Sequence, residues 1–130
     1  VAKAISQRKI DELRREWQKR LRLEDWKISS KFTDLKFMQE ITDIDNPVGA
    51  CQHFVEMKEA KIWVLRPEDW DKEPNARQQD VEDTVVHELL HCHFAPLKAE
   101  DDATRLRHEQ TIEAVTAALM ELKRGKSGGK

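Results

Sequence analysis

Tyrosine is absent from the 130 residues, cysteine occurs only twice, and no apolar run approaches the length of a signal peptide or a membrane span. Two thiols, Cys51 and Cys92, cannot make a disulfide framework, which excludes a small disulfide-stapled scaffold. Without a long apolar run, neither a leader nor a membrane-spanning helix is expected, and a reducing cytoplasm is the expected compartment. An excess of one charge is missing too: 23 basic against 25 acidic side chains give a formal net charge of −2. That excludes the basic footprint of a nucleic-acid binder. No internal repeat is visible, which excludes a solenoid.

What the chain does have is charge. Charged residues make up 37% and hydrophobic residues 38%, which implies a small core under a charged skin. This length suits one domain able to fold without a disulfide or a structural metal, expected as a monomer over residues 1–123. Residues 124–130, rich in Gly, Ser and Lys, are expected as a flexible tail. The acidic cluster Glu100, Asp101 and Asp102 reads as solvated surface.

Hydrophobic spacing orders the elements. Ile10, Leu13, Trp17 and Leu21 form one face of an amphipathic helix over residues 6–21. Trp26, Ile28, Ser30 and Phe32 alternate as a strand, and residues 33–46 read as a strand plus loop closed by a turn at Asn46-Pro47. Residues 48–57 and 60–65 pair as a hairpin turning at Lys58-Glu59. After Pro67 comes one helical turn, to Trp70, and then a polar connection to residue 77. Asp80 caps a helix running to about residue 94, where Pro96 stops it. A last helix over residues 102–123 presents Ile112, Val115, Leu119 and Leu122 as its buried face. The fold class is α+β. The four tryptophans (Trp17, Trp26, Trp63 and Trp70) read as core rather than as ligand contacts.

The chemistry lies in His87-Glu88-Leu89-Leu90-His91. Residues four apart on a helix stand one above the other, so His87 and His91 can reach one metal ion, and Zn2+ readily takes neutral imidazole. Glu88 can bond a water on that ion without ligating it. Val85, Val86, Leu89 and Leu90 hold the rest of the helix in the core, as a preorganised site requires. Catalytic zinc usually takes a third protein ligand, and His93, His108, Glu109 and Glu113 follow. His93 points to another side of its helix and His108 towards the apolar face. At 100° per residue Glu109 lies nearer the buried boundary than Glu113, so it is favoured as ligand. Glu113 remains the alternative ligand, or a partner for the far nitrogen of a ligand His. Cys92 turns away from the metal face.

HELLH on one helix, followed by a helix bearing HEQTIE, resembles the gluzincin clan, specifically its minimal single-domain members: minigluzincins and small phage or prophage zincin-like proteins. The resemblance covers residues 80–122. It implies a zincin-like domain: an N-terminal helix, a small sheet with a hairpin, an active-site helix and a glutamate helix. It also implies His87, His91 and Glu109 as zinc ligands, Glu88 as general base, and Glu113 near the place of a supporting acid. Two departures from the thermolysin-type pattern leave Glu109 and Glu113 open: His108 stands where Asn would precede the ligand, and Ile112 where Ser would precede the supporting acid. The metzincin pattern is excluded, because the required Gly and His do not follow His91.

The expected activity is hydrolysis of a peptide or protein substrate by zinc-activated water, with Glu88 moving the proton. With no Tyr, the helper for the oxyanion falls to a His or an Arg, and His53 on the hairpin is the candidate. Residues 52–55 or 62–65 are expected to offer an edge on which an extended peptide pairs. The alternative function is a zinc-binding regulatory or interaction module without general proteolysis.

Overall fold

The computed structural model describes residues 6–42, 47–72 and 80–125. The turn expected at Asn46-Pro47, the end of the polar connection, the Trp70 side chain and the tail after residue 125 fall wholly or partly outside them. Helix α1 (Gln7–Arg20) starts where the Ser6 side chain accepts the Lys9 N–H, and it buries Ile10, Leu13 and Trp17. Buried Gln18 donates to the carbonyls of Leu23 and Trp26 at 2.9 and 2.7 Å, which fixes the turn into strand β1 (Lys27–Thr33).

Strand β3 (Glu59–Leu65) is the centre of a three-stranded sheet. It pairs in parallel with β1 and antiparallel with β2 (Gly49–Phe54). Side-chain alternation divides β3 between two layers. Ala60, Ile62 and Val64 face the main core with Ile10, Trp17 and Val85, while Leu65 and Trp63 join Met38 and Ala50 on the other side. The expected hairpin forms, but its turn is a 3-10 segment (Val55–Met57) with Lys58 left-handed at φ 52°. The Lys58 ammonium pairs with Asp25. Another 3-10 segment (Pro67–Lys72) follows β3.

Residues 35–42 depart from the expected strand and loop: they form helix α2 (Leu35–Thr42). Asp34 accepts the Phe37 N–H at 2.8 Å, and Asp69 accepts the Leu35 N–H at 2.9 Å. The second cap comes from 34 residues downstream, so local sequence carries only half of the helix's start. Met38 then closes the outer layer against Ala50 and Leu65.

Helix α3 (Val81–Phe94) begins at Asp80, whose side chain accepts the Asp83 N–H at 3.1 Å. It lies on the same face of the sheet as α1, and α4 (Asp102–Arg124) packs against it. The buried stripe of α4 is Ile112, Thr116 and Met120, with Leu119 partly buried. The expected Val115 and Leu122 are instead 37% and 78% exposed. Hydropathy missed the stripe because Thr116 sits in it, its hydroxyl satisfied by the Ile112 carbonyl at 2.7 Å. Arg124, expected as the first tail residue, is the last helical one. It is held by Asp80 and Glu82 at 2.5 to 3.2 Å. No helix among the described residues is long and apolar enough to cross a membrane.

Candidate metal centre

Helix α3 is buried along most of its surface, with Val85, Val86 and Leu89 fully so, and this fixes the direction of its remaining polar face. On that face the rings of His87 and His91 lie 5.3 Å apart, one turn from each other. Helix α4 packs against α3 with Ile112 buried in the shared core, and carries Glu109 and Glu113, one turn apart on one flank, to the imidazoles.

Glu109 stands between the histidines. Its Oε2 is 2.9 Å from His87 Nε2 and its Oε1 is 3.3 Å from His91 Nε2. Glu113 Oε2 lies 3.2 Å from His87 Nδ1, on the far side of that ring. One donor atom from each of His87, His91 and Glu109 falls within 4.8 Å of the others. Three donors held about 2.0–2.1 Å from one tetrahedral ion stand roughly 3.4 Å apart, so donors gathered within 4.8 Å need to close by about an ångström to hold a divalent cation. Two imidazoles and one carboxylate also suit a borderline cation. The Glu109 side chain is 48% exposed, which leaves one side of the group open to water.

The field at the site follows from crowding carboxylates around buried rings. Burial opposes charge on His87, but the Glu109 hydrogen bond and the charges of Glu88, Glu109 and Glu113 outweigh it and lift its pKa to about 8. Bonds from His87 and His91 hold the Glu109 carboxyl well below the usual range. Glu88 is only 6% exposed, and burial pushes its pKa up despite both histidines. Its Oε1 is 4.0 Å from His91 Nε2. Glu88 thus sits beside the triad, outside the set of donors.

The other residues read from the sequence fall elsewhere. His93 bonds the Leu21 carbonyl at 2.6 Å, linking the end of α3 to that of α1. His108 packs on Phe94, with ring centroids 5.3 Å apart. Cys92 is buried, and its contact with Cys51, together with burial, pushes the Cys51 thiol up. His53 is an exposed residue of β2 and is not one of the three residues whose donor atoms converge.

Gly49 carried no signal in the sequence. Its backbone presses against α3, and a Cβ placed there would lie 2.5 Å from Thr84 Cγ2 and 2.8 Å from Glu88 Oε2. Comparison of the chain with family models, curated proteins and solved structures finds no match in any of the three.

Proposed function

We propose that this protein is a zinc-dependent peptidase of the minimal gluzincin type, with His87, His91 and Glu109 as ligands and Glu88 as general base. The observation that carries it is the convergence of those three donors within 4.8 Å, with a buried non-ligand carboxylate beside them. Zinc held there supplies Lewis acidity, which lowers the pKa of a water and polarises a carbonyl. Glu88 takes the proton from the attacking water and returns it to the departing amine. Glu113 holds the far nitrogen of His87 and so fixes the face that the ring turns to the metal.

The sheet supplies a place for the substrate. Val48 O accepts from Leu65 N at 3.0 Å, and the antiparallel register then turns the N–H and C=O groups of Gly49, Cys51 and His53 away from β3. These groups form an edge on which an extended peptide adds as a strand, starting beside Glu88. Of residues 52–55, expected to serve, only His53 turns its groups outward, since Gln52 and Phe54 bond β3 and Val55 begins the 3-10 turn; residues 62–65 do not serve, because β3 is paired on both sides.

The test is metal content after purification without added zinc or a histidine tag, followed by hydrolysis of a peptide library. Wild type should carry about one zinc and cut peptides. His91→Ala should lose the metal, and Glu88→Gln should keep the metal and lose the cutting. A chain that takes up no zinc on titration would overturn the proposal. Zinc bound equally by wild type and Glu88→Gln, with no hydrolysis by either, would favour the regulatory module instead.

A further inference from the structure

Glycine weakens a strand, since it has no side chain to pack and the most backbone freedom to lose. At position 49 its conformational freedom is not used: Gly49 is not among the residues with positive φ, and it pairs in register with Val64. The need is for space. A Cβ would lie 2.5 Å from Thr84 Cγ2, 2.8 Å from Glu88 Oε2 and 3.3 Å from Glu88 Cγ. Thr84 is buried, and its hydroxyl is held by the Asp80 carbonyl at 3.0 Å, so its methyl has little freedom to swing aside. The Glu88 carboxylate is the flexible end of its side chain and is the group that yields.

Resting on the peptidase reading, we propose that Gly49 is a positioning residue for Glu88: the bare backbone of β2 forms the wall that confines the carboxylate beside His91. A glutamate on a helix has three side-chain torsions, and α3 alone does not choose among its rotamers. With β2 this close, the carboxylate keeps its place at 4.0 Å from His91 Nε2. The same glycine offers its outward N–H and C=O to the peptide edge, so base and substrate strand are set from one point of the backbone.

The experiment compares wild type, Gly49→Ala and the pair Gly49→Ala with Thr84→Ser. Serine keeps the hydroxyl and removes the methyl that the new Cβ would strike. The pair should therefore recover most of the thermal stability lost in Gly49→Ala, and it should keep its zinc. Its kcat should still lie roughly 10–100-fold below wild type with KM little changed, because a displacement of an ångström or less at a reacting group costs about that much. In its crystal structure the Glu88 carboxylate should be displaced from β2. A kcat within about twofold of wild type, with the carboxylate unmoved, would overturn the proposal and leave Gly49 as packing only. A wild type that cuts no peptide would instead defeat the peptidase reading, and the position of Glu88 in the two crystal structures would still decide the role of Gly49.

Discussion

At the scale of single residues, the two carboxylates of α4 hold different places around His87. Glu109 lies against the inner nitrogens of both histidines, and Glu113 touches only the outer nitrogen of one. Loss of a ligand and loss of a ligand's support are expected to differ in size. Glu109→Ala should abolish tight zinc binding, whereas Glu113→Ala should weaken it about 10–100-fold and leave one zinc bound at saturation. Competition with a chromophoric chelator at fixed pH measures both, and equal losses in the two variants would refute the distinction. The sequence left these two residues open for a physical reason. They lie four apart on one helix, so both reach the same neighbourhood, and only the crossing of α4 over α3 selects between them.

At the scale of elements, α3 depends on its N-terminus, where α1, α3 and α4 are joined. Asp80 caps α3 and accepts two bonds from Arg124, while Glu82 accepts from Trp17 Nε1 at 2.6 Å and pairs with Lys123 and Arg124. The bond from Arg124 holds the Asp80 carboxyl below its usual range. Burial opposes the charge on Glu82, but Lys123, Trp17 and Arg124 prevail and depress its pKa too. A depressed carboxylate pKa contributes stability that is present above the unfolded-state value and lost as pH falls through the folded-state value. Arg124→Ala should therefore lower Tm by roughly 2–5 °C at pH 7, a small effect because the pair is half exposed. That gap should close as the pH falls below about 4. A gap that stays constant down to pH 2 would show that Arg124 acts through packing. Helix α3 was legible because Asp80, its apolar residues and Pro96 are local signals. The second cap of α2 was not, because Asp69 reaches it from 34 residues away, and the burial of Thr116 was not, because hydropathy does not register a hydroxyl satisfied within its own helix.

At the scale of the whole molecule, the core and the candidate metal centre are separate structures. Ile10, Trp17, Ile62, Val64, Val85, Leu89 and Ile112 close one core without any metal, while the donors lie at the half-open side of the seam between α3 and α4. Removing the metal should then lower stability without unfolding the chain, unlike a module that its metal folds. Zinc at 100 times its Kd should add about 2.7 kcal/mol and raise Tm by several degrees, with no rise in His91→Ala. Circular dichroism of the chelator-treated protein should keep its helical signal and melt cooperatively; a loss of helix at room temperature would refute the separation. The sequence by itself determined that a helix carries His87, Glu88 and His91 on adjoining turns, because helical period is a property of the backbone and needs no partner. The tertiary structure decided which carboxylate stands between the imidazoles, that β2 and not β3 is an edge strand of the sheet among the described residues, and that a glycine meets Glu88. Those relations are set by how elements cross, and crossing is fixed by packing between residues that the sequence keeps far apart.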